Sequence, residues 1–418
     1  MLLKVISLAF LIAAIGLGFA KKLNVGLVSL GLALILSMIG GIKTSVIFSG
    51  FPNKLFLTLL GTMFFFSLLQ ENHTLELLSK KLVSLVGKRT YLIPILLYVV
   101  SYVMSAAGPG AISVQSVMII FAVSLSVQMN ANPLLLAGMA YLGAVGGTSS
   151  PIALTGIIVS DLASEAGMLH NPTQVFIGVS AANLMLAVAL YIIFKGYKLK
   201  ATDKNLETGI IQFNFQQKVG TLSLIALVVL VVGFQFDVGL TAFSLSLLLI
   251  LFGIGNEKAA IKMVPWNVMI LICGVNVLMA VTKQMGGIEL LSDLLSSMMN
   301  QTTASPLMAM TAGIMSWFSS ANGVVFPTLI PTLPDIVSKV GGNTSVMEMT
   351  MAIIAGATAT GISPFSTGGS LLLASYSQET KASEKEQQSI FLKLIILSAA
   401  SVLGVIIFAF VGGFRIFG

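Results

Sequence analysis

The stretch Gly146-Gly147-Thr148-Ser149-Ser150-Pro151 interrupts an apolar run, 134–160, that would otherwise cross a bilayer as one helix. Thr360-Gly361-Ile362-Ser363-Pro364 interrupts a second run, 347–376, in the same way. Glycine and proline free backbone groups that hydrocarbon cannot satisfy, so such a break survives only inside protein or beside a watery cavity. Taken singly, each reads as a kink or a close-packing point. Taken together they read differently, because they correspond. Sliding one half of the chain on the other by 213 residues carries Ser150-Pro151 onto Ser363-Pro364 and Gly143-Ala144 onto Gly356-Ala357. The same offset carries Pro52 onto Pro265, Gly61 onto Gly274 and Glu76-Leu77-Leu78-Ser79 onto Glu289-Leu290-Leu291-Ser292. Paired Gly/Pro-interrupted segments in two halves of a membrane chain point to a central transport site.

The rest of the chain fits that frame. Of its 418 residues 56% are hydrophobic and 9% charged, far below the ~25% charged of soluble domains. Apolar runs lie near 2–20, 23–42, 54–70, 91–128, 134–160 and 172–194, then 220–235, 238–254, 267–284, 305–333, 347–376 and 389–413. The expected fold is an all-α polytopic membrane protein of two inverted-topology repeats, 1–194 and 220–418, joined by a cytoplasmic linker at 195–219 that carries Asp203, Lys204 and Glu207. The runs 91–128 and 305–333 are too long for one crossing and break at Ala107-Gly108-Pro109-Gly110 and Ser319-Ser320-Ala321-Asn322-Gly323. Each reads as a re-entrant hairpin, beside about five membrane-spanning helices per half, one of them broken. An odd number of crossings turns the second half upside down.

Sorting the 22 Lys and Arg by this topology puts sixteen on one side, among them Lys21, Lys22, Lys80, Lys81, Lys88 and Arg89. That side should be cytoplasmic, with both termini outside. The first span, ending at Ala20 before Lys21-Lys22, resembles a leader peptide but has a counterpart just before Asp237, so it is assigned to the repeat.

Charge inside the spans appears sparse. Glu71, Glu76, Asp161, Lys283, Glu289 and Asp335 are read at or beyond segment ends, with His73 and His170 in loops. A proton pump or antiporter needs a buried titrating group, and a membrane hydrolase needs a metal cluster or a base beside its nucleophile. Neither is evident, so no enzymatic activity is expected. The single cysteine, Cys273, excludes an internal disulfide, and the net charge of +7 is better explained by topological anchors than by nucleic acid. What the breaks offer is neutral oxygen: Ser105, Thr148, Ser149, Ser150 and Thr155, and Ser319, Ser320, Asn322, Thr358, Thr360, Ser363, Ser366 and Thr367. Hydroxyls with unwound carbonyls suit sodium, while half-helix N-termini aim amide dipoles at an anion.

This plan resembles the ion-transporter superfamily that includes the divalent anion/sodium symporters. The stretch Gly41-Ile42-Lys43-Thr44, Gly50-Phe51-Pro52, Leu55-Phe56-Leu57-Thr58-Leu59 and Ser105-Ala106-Ala107-Gly108-Pro109-Gly110 is similar to the malonate and dicarboxylate carriers within it. The resemblance implies an elevator mechanism, a homodimer in the plasma (inner) membrane, and hairpin tips bearing Ser-Asn-Thr that meet substrate carboxylate and sodium. The second tip keeps Asn322 after Ser319 and Ser320; the first has Ser105 followed by Ala106, Ala107 and Gly108, with no side-chain amide. That departure leaves the first cation site to backbone carbonyls and one carboxylate to bare amides.

The expected function is sodium-coupled import of a small dicarboxylate, with sodium as co-transported ion and no organic cofactor. Substrate is assigned to Ser105, Gly108, Pro109, Ser150, Ser319, Asn322, Ser363 and Thr367. Sodium is assigned to Ser105, Gly108, Gly147, Thr148, Ser150, Ser319, Asn322, Thr360 and Ser363. Partners are the lipid bilayer and a second copy. The rivals are a proton-coupled or cation-exchanging member of the same superfamily and, from another class, a passive anion channel.

Overall fold

The computed structural model describes residues 1–74, 77, 89–199, 213–234, 236–342 and 344–418. Glu76, Leu78, Ser79, Lys80, Lys81 and Lys88, and the linker's Asp203, Lys204 and Glu207, lie outside the described residues. Among those described, every regular element is helical. The first half comprises α1 (Leu2–Lys21), α2 (Val25–Gly40), a short helix Thr44–Ser49, α3 (Asn53–Glu71), α4 (Ile93–Ala106), α5 (Gly110–Gln128), α6 (Pro133–Gly147), α7 (Leu154–Glu165) and α8 (Pro172–Ile193). The second comprises α9 (Phe215–Val228), α10 (Val238–Leu251), a short helix Glu257–Met263, α11 (Trp266–Gln284), α12 (Gly287–Ser297), α13 (Ala304–Phe318), a segmented helical stretch over 321–340, α14 (Val346–Ala359), α15 (Thr367–Thr380) and α16 (Glu384–Phe410).

Among the described residues, six stretches are long and apolar enough to cross a membrane: Thr44–Glu71, Gly110–Gln128, Pro172–Ile193, Trp266–Gln284, Val346–Ser377 and Glu384–Phe410. Shorter apolar helices, including Pro133–Gly147 and Val238–Leu251, fill the positions between them. The chain is a multi-pass membrane protein.

Helix boundaries recur at the offset read from the sequence. Val25 and Val238 both begin a helix, as do Asn53 and Trp266, Pro133 and Val346, and Leu154 and Thr367, each pair 213 residues apart. Contacts recur as well. A Cβ on Gly274 would strike the Gly26 carbonyl where α11 crosses α2, and one on Gly61 would strike the Gly239 carbonyl where α3 crosses α10. Gly26 and Gly239, and Gly61 and Gly274, are counterparts, so one close glycine crossing is built twice with its partners exchanged. Absence of side chains is what lets these backbones approach so closely.

Two boundaries differ from the sequence reading. The second half starts at Phe215 rather than 220, because Asn214 and Gln217 form a capping box that nucleates α9 inside the expected linker. The second tip is followed by helical structure to Val340, past the expected end at 333. Leu333 and Ile336 bury one face there, while Lys339 Nζ pairs with Asp293 at 2.6 Å on the other.

Candidate functional site

The breaks fall where glycine and proline stop the helices. After α4 the chain turns through Ala107-Gly108-Pro109, with Gly108 at φ 137°, a conformation L side chains rarely adopt. A Cβ there would also meet the Phe66 ring of α3. After α6 the backbone leaves the helix at Thr148 and re-enters it at Leu154, with Ala153 extended. In the second half Ser319 and Ser320 are extended after α13. A 3-10 turn, Thr360–Ile362, follows α14, and Ser366 is extended before α15.

Each break therefore opens a helix N-terminus, whose first amides lack partners within the helix. Asn24, Asn132, Asn171, Asn214, Asp237 and Ser345 each accept from a first-turn amide, while α3, α4, α11, α12 and α13 begin without a side-chain cap. At the breaks, Pro109, Ala153 and Ser366 precede α5, α7 and α15 without any side-chain cap. In α5 the Ala111 amide goes instead to Thr148 Oγ1, and in α7 the Gly156 amide goes to the Thr148 carbonyl, so both ends lean on the first break for their partners.

Two of these ends, α5 and α7, adjoin through a chain of hydrogen bonds. The Ala111 amide donates to Thr148 Oγ1 at 3.2 Å, the Thr148 and Thr155 hydroxyls lie 3.2 Å apart, and Thr155 Oγ1 donates to Asn322 Oδ1 at 2.9 Å. A Cβ on Gly110 would come within 3.2 Å of Thr148 Oγ1, so the α5 N-terminus sits directly on the first break. The chain ties the first turn and first break to the second tip. With its oxygen engaged, Asn322 presents an amide nitrogen that bonds no described residue.

Of the residues read as ligands, the structure joins Thr148 and Asn322 through Thr155, with Gly108 and Pro109 buried at the adjoining turn and Gly147 buried against α4. Ser105 is fully buried, and its hydroxyl has no partner among the described residues. An orphaned buried hydroxyl costs stability and requires a reason. The others bond locally. Ser319 Oγ donates to the Met315 carbonyl at 2.7 Å, Thr360 Oγ1 to the Ala357 carbonyl at 2.7 Å, and Ser363 Oγ accepts from the Phe365 amide at 3.3 Å. Ser150 is buried beside Gly156, and Thr367 is exposed at the start of α15.

Three supporting residues escaped the sequence reading. Tyr141 of α6 donates its hydroxyl to the Thr358 carbonyl, and Gly361 and Gly368 leave room for its ring. Trp317 Nε1 donates to Ser398 Oγ at 2.8 Å, and Ser398 donates to the Thr360 carbonyl at 3.2 Å. Carbonyls released by the second break thus receive hydroxyls from both halves. A lone tyrosine in the small-residue run of α6 was the available signal.

Two charged residues escaped the sequence reading, Glu348 at a segment end and Lys393 inside an apolar run. Glu348 is 3% exposed in the first turn of α14, and its Oε1 lies 3.5 Å from Arg415 Nε. Arg415 also donates to the Gln301 carbonyl at 2.7 Å, so the buried acid is neutralised by a group that follows the last span. Lys393 sits well inside α16. Burial of Glu348 depends on a fold-back of the terminal segment that no local pattern encodes.

Residues 1–148 match the family described as the dicarboxylate carrier protein MatC N-terminus. Over nearly the whole chain the fold is similar to that of the Alcanivorax borkumensis YdaH transporter, whose crystal structure is described as revealing an unusual topology. The TM-score is 0.60 at 15% identity, covering 90% of this chain and 87% of that one. No curated protein matches the chain. The fold is one that a membrane transporter uses, and the resemblance of the N-terminal part to dicarboxylate carriers holds.

Proposed function

We propose that this protein is a secondary active transporter that imports a small dicarboxylate, such as malonate or a four-carbon acid, together with sodium. The observation that carries the reading is the convergence of the α5 and α7 N-termini, neither capped by the residue before it, on the Thr148–Thr155–Asn322 chain. Each N-terminus carries roughly half a positive charge, which favours a carboxylate without a basic residue. The outward amide of Asn322 adds a directional donor for the same group. Unwound carbonyls around 148–153 and 360–366, with the Ser105 hydroxyl, suit sodium, whose charge offsets that of the anion. Likeness of residues 1–148 to a dicarboxylate carrier supports the substrate class.

The exchanged glycine crossings support two halves related by a twofold axis in the membrane plane, with the turns at 107–109 and 319–320 as re-entrant tips. Inverted halves suit alternating access, and we take it to be elevator-type, the site moving against a fixed frame. In this reading the chain lies in the plasma membrane as a homodimer, lysine-rich side inward and both termini outside. The Glu348–Arg415 pair gives the buried acid an internal counter-charge.

The test is uptake of labelled malonate and succinate into proteoliposomes under an inward sodium gradient, then with choline replacing sodium at constant pH. Accumulation that requires sodium is expected. Equal accumulation in choline would remove sodium coupling, and conductance without accumulation would make the protein a channel.

A further inference from the structure

Lys393 is the tenth residue of α16, whose first five residues, Glu384 to Gln388, are polar, so it stands about 6 Å along the helix axis from the start of the apolar run at 389. It has no ion pair or hydrogen bond among the described residues. An exposed lysine so near a span end carries its ammonium to the headgroup level, where an anion is its natural partner. It stands at the rim of a half-open apolar cavity of about 400 Å³ between α6, α8 and α16, floored by Tyr141 and Ile362 and flanked by Ala189 and Ala400.

The surroundings say what that cavity faces. Leu184, Val188 and Ile192 on α8, and Leu392, Ile396, Leu403 and Ile407 on α16, form exposed apolar stripes at helical spacing on either side of it. The only charged group among the described residues that line it, Lys393, lies with Asn132 before α6 and Phe194 after α8. From there the walls run inward for about 12 Å, eight residues of α16 from Lys393 to Ser401. A cation at the mouth of a deep apolar slot is complementary to an anionic headgroup on an acyl chain.

We propose that this groove binds an anionic phospholipid, one acyl chain lying along α8 and α16 and the phosphate paired with Lys393. The floor gives the site a consequence. Tyr141 holds the Thr358 carbonyl and Ile362 belongs to the second break, so the bound chain packs against the residues that fix that break. The proposal stands apart from the identity of the transported solute.

The experiment follows the melting temperature of the purified full chain in dodecyl maltoside as dioleoyl phosphatidylglycerol or dioleoyl phosphatidylcholine is added. Phosphatidylglycerol should stabilise at lower concentration than phosphatidylcholine. Lys393→Gln should raise its half-effect concentration about fivefold, the equivalent of ~1 kcal/mol, while Lys393→Arg keeps it. Ala400→Phe, filling the slot at an exposed position, should remove the preference; if that variant does not fold, the Gln and Arg pair decides. Glycerol phosphate alone should do nothing, and an equal shift with it would overturn a site that needs the acyl chain. The proposal also fails if the two lipids act alike, if Lys393→Gln is silent, or if light scattering shows a dimer that Ala400→Phe dissociates. That last result would make the groove a seam between copies.

Discussion

The two broken segments share a hydroxyl-proline signature, Ser150-Pro151 and Ser363-Pro364, yet they bond in opposite senses. In the first, hydroxyls point across the molecule: Thr148 and Thr155 relay from the Ala111 amide to Asn322 of the other half. In the second, hydroxyls turn back on their own helix, Thr358 to the Ile354 carbonyl and Thr360 to that of Ala357, while Tyr141 and Ser398 brace the freed carbonyls from behind. Duplication has kept the backbone and let the side-chain roles diverge. One break is built for reach, the other is held rigid.

What the halves still share is best tested first, because the largest effect is expected there. A Cβ on Gly156 would strike the Ser150 carbonyl, and one on Gly369, its counterpart, would strike that of Ser363. Backbone cannot yield as a side-chain end can. Gly156→Ala and Gly369→Ala should each lower stability by up to ~3 kcal/mol, read as melting in detergent. Similar losses would show that the backbone kept one geometry in both breaks; a silent variant in either half would remove that half from the comparison.

Where the halves differ, Asn322 carries the asymmetry. Asn322→Ala removes the acceptor of the Thr155 hydroxyl and the free amide together, at about 2 kcal/mol or roughly thirtyfold in uptake. Wild-type melting should be nearly retained, since Asn322 is only partly buried. Unchanged uptake in the folded variant would take Asn322 out of the site. Next in size is Tyr141→Phe, which withdraws one brace from the second break at about 1 kcal/mol in melting. If rigidity there matters to transport, uptake should fall several-fold; if it does not, the brace serves stability alone.

These residues also show how far the sequence could be read. Breaks, offset and apolar spans were legible because hydrocarbon tolerates so few ways of interrupting a helix. Thr148 and Asn322 were legible as oxygen donors on broken segments. The relay between them was not, because Thr155 and Asn322 stand 167 residues apart and their meeting is tertiary. Nor was the Tyr141 contact with Thr358, 217 residues away. Glu348 escaped for a related reason: it stands at a segment end, and its burial shows only once Arg415 is brought alongside.

The smallest effect concerns protonation, and it too separates the halves. His170 lies in the loop before α8, outside the membrane-spanning segments; its counterpart 213 residues on is Ser383, which caps α16 and does not titrate. The His170 ring nitrogen lies 3.3 Å from Ser160 Oγ, and partial burial pushes its pKa below the ordinary 6.5. Between the lowered folded value and 6.5 the unfolded chain binds more protons than the folded one, so stability rises with pH in that window. The stabilising contribution is complete above pH 6.5 and is lost as pH falls toward the folded value. Melting followed from pH 7.5 downward should therefore show a shallow decline beginning near 6.5. His170→Ser, which gives the first half the residue of the second, should flatten that part of the curve; an unchanged slope would assign the decline to carboxylates and leave the loops of the two halves equivalent.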